Sequence, residues 1–99
     1  MTNLTKNNFD KTIASGTVLV DFWAKWCSYC RMIEPVIEEI SNKHQNIKIA
    51  KVNVDEEKEL ASRYGVTTLP TFICFKNGIE SSRVKGAQPA DVLEDMILE

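Results

Sequence analysis

The chain has 99 residues, 43% of them hydrophobic and 26% charged, with four glycines and three prolines. That balance excludes disorder, collagen-like repeats and low complexity, and fits one compact domain over residues 1–99. Twelve Lys and Arg against 14 Asp and Glu give a net charge of −2, and the basic residues are scattered from Lys6 to Lys85, so no footprint for nucleic acid is present.

The stretch Met1 to Asn8 carries no apolar block, and the longest apolar run is Phe72 to Phe75, so neither a signal peptide nor a membrane-spanning helix is expected, and a cytoplasmic location is. Phe9 with Ile13 predicts a short helix near the N-terminus. Val18 to Trp23 is too continuously apolar for a strand with one wet face, which predicts a central strand covered on both sides and a buried Asp21. Met32, Ile33, Val36, Ile37 and Ile40 recur at spacings of three and four, predicting an amphipathic helix from about residue 28 to 44. Pro35 inside it removes a hydrogen bond and predicts a kink near residues 31 to 35. Ile47 to Val54 reads as a strand, making residues 17 to 54 a strand, helix, strand unit with parallel strands.

Asp55 is placed to cap a third helix that has Glu56 and Glu57 in its first turn and Gly65 at its close. Thr71 to Phe75 predicts a strand, and Asn77-Gly78 a two-residue hairpin into an antiparallel strand around Ile79 to Val84. Pro89 at a first helical position, followed by Val92, Leu93, Met96 and Ile97, predicts a closing helix. This order of elements implies an α/β fold of three layers, a mixed sheet with helices on both faces.

Three cysteines are too few, and odd in number, for a disulfide-stapled scaffold, and Cys27 and Cys30 are two residues apart. Lying between a buried strand and the start of a helix, Cys27 meets unpaired backbone N–H groups that favour a thiolate, the attacking species in disulfide exchange. Cys30, one turn into the helix and expected to be more covered, is placed to resolve a mixed disulfide. Its proton needs an acceptor. Asp21, with a proton affinity raised by burial, is the candidate, and Lys51 on the neighbouring strand is placed either to moderate that charge or to form a purely structural ion pair with it. A zinc site needs four ligands, and beyond the pair only Cys74 and His44 remain, so no metal is expected. Cys74 reads as core and His44 as a solvated residue at the helix's negative end. Arg31 reads either as support for the thiolate or as a surface charge.

The run Val20 to Pro35, with Trp26-Cys27-Ser28-Tyr29-Cys30 at its centre, resembles the active-site segment of the thioredoxin family. Ala50 to Asp55, Tyr64 to Val66, Thr68 to Thr71, Phe75 to Gly78 and Gly86 are similar to that family's later blocks in the same order, so the resemblance covers essentially the whole chain. It implies a thioredoxin-like fold and a protein-disulfide reductase with no bound cofactor, cycling a Cys27–Cys30 disulfide and recharged with electrons from NADPH by a flavoprotein thioredoxin reductase. It also implies Cys27 as nucleophile, Cys30 as resolving thiol, Asp21 as buried proton acceptor and Lys51 as its partner. Trp26 falls on the substrate-facing rim, Pro70 on the family's cis proline, Leu69 beside it offering backbone groups to an extended peptide, and Gly86 on a flat contact surface. Disulfide-bearing proteins are the implied substrates, nucleic acid and membrane are not implied partners, and a monomer is the expected state.

Ser28-Tyr29 departs from the family's usual Gly-Pro and has a tyrosine before the second cysteine, as in many glutaredoxins. Without the proline the loop loses a stiffening element, and the relative stability of dithiol and disulfide changes. Tyr29 is expected on the surface, within reach of substrate or reductase. Two other readings follow. One is a higher-potential, glutaredoxin-like, oxidising or isomerising variant; the other is a redox-inert module that holds partners in the groove beside Pro70.

Overall fold

A computed structural model describes residues 1–99. Five strands and four helices follow in the order β1 (Thr2–Asn3), α1 (Phe9–Ile13), β2 (Thr17–Trp23), α2 (Ser28–Lys43), β3 (Lys48–Asn53), α3 (Lys58–Arg63), β4 (Thr71–Lys76), β5 (Ile79–Lys85) and α4 (Ala90–Leu98). The strands form one mixed sheet in the order β1-β3-β2-β4-β5. β2 is central, parallel to β3 with Asp21 opposite Lys51 and antiparallel to β4 with Asp21 opposite Phe72.

Side chains alternate across a strand, and β2 divides its own between two cores. Val18, Val20 and Phe22 pack with Phe9 and Ile13 of α1, Leu60 of α3, and Ala50, Val52, Ile73 and Phe75. On the other face Leu19 packs with Ile33, Ile37 and Ile40 of α2, Leu93, Met96 and Ile97 of α4, and Phe72 and Cys74. These are the three expected layers, α1 and α3, the sheet, then α2 and α4. Asp21 falls on the α2 side by the same alternation, so the helix that starts at the cysteine pair covers the face that carries the buried acid.

The hairpin follows the predicted turn chemistry. Asn77 and Gly78 both have positive φ, 52° and 84°, as a type I′ turn requires. α2 runs unbroken from Ser28 to Lys43 through Pro35.

Some elements differ from expectation. β1 pairs in parallel with β3 through Thr2 and Asn3, which have no apolar alternation of their own. Asp55 does not cap α3: the helix begins three residues later, after Glu57, which makes no side-chain cap. The residue that organises this turn is Asn53, whose Oδ1 accepts from the backbone N–H of Asp55 at 3.0 Å and of Glu56 at 3.4 Å. An Asx-type turn therefore takes the chain out of β3 before helix starts. Pro89 is the N-cap of α4 and not its first residue. His44 is not solvated. It caps α2, and its Nε2 lies 2.6 Å from Glu94 of α4, where Lys43 also pairs at 3.2 Å, so the two helices that cover one face are clasped together.

Candidate active site

β2 ends at Trp23, a short loop crosses the end of the sheet, and Cys27 stands as the N-cap of α2. The helix's first N–H groups lack intrahelical partners, and one of them finds the sulfur: the Cys30 N–H donates to Cys27 Sγ at 3.2 Å. A donor of this kind, at the positive end of the helix dipole, favours negative charge on Cys27 Sγ. Cys27 and Cys30 are joined as a disulfide with their Cα atoms 5.3 Å apart. Both are buried in this form, Cys30 by a narrow margin the more covered, and they pack with Ala24 against Trp23, Val54 and Leu69. No group of three or more His, Cys, Asp or Glu side chains is gathered into a metal cage.

Around this pair, three large side chains are exposed alongside the charged Lys25 and Arg31. Trp26 is 68% exposed, Tyr29 61% and Met32 62%, a rim of three large side chains flanking the cysteines on the solvent side. Ser28 is exposed as well. Trp26 is not free on that surface: its indole Nε1–H donates to Asp55 Oδ2 at 3.0 Å. Asp55, expected as a helix cap, instead anchors the rim. The Arg31 guanidinium donates to the Lys25 carbonyl, tying the first turn of α2 to the loop before Cys27.

The far wall comes from the segment before β4. The Leu69–Pro70 peptide bond is cis, Pro70 is buried, and Leu69 is half-buried against the cysteine cluster. The Pro70 carbonyl accepts from the Gly86 N–H at 2.7 Å, which fastens the loop after β5 to this segment. Gly86 has φ of +84°, a left-handed backbone that favours glycine. Leu69 is thus in contact with the pair, and Pro70 and Gly86 are joined to each other.

Beneath α2, Asp21 is 3% exposed and its Oδ1 has no hydrogen-bond partner. Burial pushes its proton affinity up to a pKa of about 7, against a downward pull from Lys51 and a smaller upward push from Glu34. Lys51 acts on Asp21 through space, but the two form no direct ion pair. The Lys51 ammonium lies 4.2 Å from the centre of the Trp23 ring and 2.5 Å from Glu34 Oε1. Sequence reading gives Glu34 no role and Asp55 only that of a helix cap. Glu34 stands one turn beyond Cys30 at the border of the apolar stripe, and only that border position, facing a strand with a buried lysine, hinted at it. Cys74 is core: wholly buried, its thiol directed at the Met96 carbonyl at 3.4 Å, with burial pushing its pKa up and away from reactivity.

Comparison with known proteins shows the family to which this fold belongs. The family model described as Thioredoxin matches residues 1–99. A thioredoxin of Chlamydia pneumoniae is 43% identical over 94 residues, covering 95% of this chain and 92% of that protein. One of Alicyclobacillus acidocaldarius is 45% identical over 93 residues, covering 92% and 89%. Among solved structures, Plasmodium falciparum thioredoxin superposes with a TM-score of 0.91 at 34% identity, covering 99% of this chain and 97% of that one. Mitochondrial thioredoxin 3 of Saccharomyces cerevisiae, in its oxidised form, gives 0.92 at 30% identity, covering 99% and 93%. A bonded Cys27–Cys30 pair in such a frame does not favour the redox-inert module or the glutaredoxin-like alternative: the chain belongs to the thioredoxin family of protein-disulfide reductases.

Proposed function

We propose that Cys27 is the attacking thiolate of this reductase, Cys30 the resolving thiol and Asp21 the acceptor of the Cys30 proton. The observation that carries the reading is the Cys30 N–H aimed at Cys27 Sγ at the start of α2, which makes the first sulfur the better anion. In the dithiol form, Cys27 thiolate attacks one sulfur of a substrate disulfide; a mixed disulfide forms and one substrate sulfur leaves as thiolate, to be protonated. Cys30 then gives its proton to Asp21 and attacks Cys27 Sγ. The Cys27–Cys30 disulfide forms, the second substrate thiol departs, and two electrons have passed to the substrate. A carboxyl with pKa near 7 can take that proton and return it to solvent at neutral pH.

Trp26, Ser28 and Tyr29 form one side of the substrate groove, and Leu69, Pro70 and Gly86 the other. Extended backbone laid beside Leu69 is read through main-chain groups, which suits a reductant of many different proteins. The chain works as one domain and as a monomer, in the cytoplasm. It binds no cofactor, and thioredoxin reductase, a flavoprotein carrying electrons from NADPH, restores the dithiol. The test is trapping. Cys30→Ser is expected to accumulate a mixed disulfide with substrate through Cys27, and Cys27→Ser is not. Trapping by Cys27→Ser alone would reverse the two roles.

A further inference from the structure

Asp21 and Lys51 are direct neighbours across β2 and β3 and face the same side of the sheet. The ammonium of Lys51 is nevertheless committed elsewhere, to Glu34 Oε1 at 2.5 Å, while Asp21 Oδ1 stays without a partner. The competition has a physical reason. Glu34 keeps 41% of its side chain in water and Asp21 is 3% exposed, so ionising Glu34 costs far less desolvation. Two carboxylates bid for one ammonium, and the wetter one holds it.

We propose that Glu34 is a positioning residue for the proton transfer: by holding the Lys51 ammonium away from Asp21, it preserves Asp21's affinity for the Cys30 proton. This rests on the reading of Asp21 as that acceptor. The other groups around Asp21 do not offer a substitute for Lys51. β4 sets Phe72 beside it, α4 turns Leu93, Met96 and Ile97 to this face, and α2 brings Glu34, whose charge acts on Asp21. Lys25, Glu56 and Glu57 line a small cleft with Lys51 and Trp23, and Asp21 is not part of its lining. With Glu34 neutral, Lys51 has Asp21 as the remaining buried anion on its face, and ionised Asp21 is stabilised.

The experiment is a carboxyl 13C NMR titration of Asp21 in the disulfide form, where neither Cys27 nor Cys30 titrates. Four proteins are compared: the parent chain, Glu34→Gln, Lys51→Met and the double variant. The parent midpoint is expected near 7. In Glu34→Gln it falls by on the order of one pH unit. In the Lys51→Met background the same substitution is expected to move it by less than about half as much, because the coupling runs through the missing ammonium. Glu34→Ala, which removes the carboxylate without leaving an amide, is expected to repeat the fall. An unmoved midpoint in Glu34→Gln and Glu34→Ala overturns the proposal, and so does an equal fall in both backgrounds, which would assign direct repulsion between the carboxylates with no part for Lys51. Failure of the acceptor role is read separately: Asp21→Asn would leave the pH–rate profile of mixed-disulfide resolution unchanged, whatever the carboxyl titration shows.

Discussion

Replacing Asp21 by Asn turns the buried acid into a stability experiment whose sign is fixed by its environment. The folded protein holds the Asp21 proton up to a pKa of about 7, against 3.8 for the ordinary carboxyl. The folded state therefore binds more protons than the unfolded state between these values. Stability contributed by Asp21 is fully present below about pH 3.8 and is lost as pH rises through about 7. The interval spans roughly three pH units at about 1.4 kcal/mol each, so the parent chain loses about 4 kcal/mol relative to a non-titrating variant. Asp21 is almost fully buried, so solvent screening removes little of this.

Asn carries its own offset. Its carboxamide occupies a place where Oδ1 already lacks a partner, at a cost of about 1–3 kcal/mol that does not depend on pH. Asp21→Asn is accordingly expected to be the less stable protein at pH 4 and the more stable one above pH 8. The difference between the two curves grows by as much as about 1.4 kcal/mol per pH unit between pH 5 and 6.5. Urea unfolding of the disulfide form at a series of pH values measures it directly, with the slope of free energy on denaturant checked for constancy. Curves that stay parallel, with a change under about 1 kcal/mol from pH 4 to 9, would refute the argument that burial governs the Asp21 proton.

Two further outcomes test the frame of the site. Asp55→Ala releases the Trp26 indole from its acceptor. It is expected to speed exchange of the Trp26 Nε1–H and to slow reduction of a protein disulfide by about threefold to tenfold, the value of one modest hydrogen bond; an unchanged rate would remove the anchored rim from substrate binding. Gly78→Ala tests the hairpin, where a Cβ would meet Ala14 at an ordinary 3.7 Å but φ is +84°. A stability loss of about 1–2 kcal/mol in urea is expected from backbone conformation alone, and a neutral result would mean that the turn relaxes.

What the chain discloses and what it withholds divide along one line. Strands β2 to β5, the two long helices, the hairpin and the cysteine pair are written in neighbours a few positions apart: the near-continuous apolar run from Val18 to Trp23, spacings of three and four in α2, Asn77-Gly78, Cys27 and Cys30. β1 was not legible because Thr2 and Asn3 are a strand only by virtue of Ala50 and Lys51 beside them. Asp55 was misread because an acid before a helix suits a cap, and nothing local says that Asn53 has already organised the turn and that a distant indole needs an acceptor. The choice of Lys51 between Asp21 and Glu34 depends on relative burial across three elements, which no spacing encodes.

This division bears on how the site can vary. Ser28 and Tyr29 lie exposed in the first turn of α2, and exchanging residues there acts on the relative stability of dithiol and disulfide. Glu34 lies a turn further on, paired with Lys51 of the sheet, and in the role proposed for it acts on the proton that Cys30 must lose. A change in the first pair moves the potential of the couple and leaves the Lys51–Glu34 contact intact; a change at Glu34 moves the pH range over which the couple turns over and leaves the bridging dipeptide as it was. The two properties are therefore separable in this fold, because one is set on the solvent side of α2 and the other on the side it turns to Asp21.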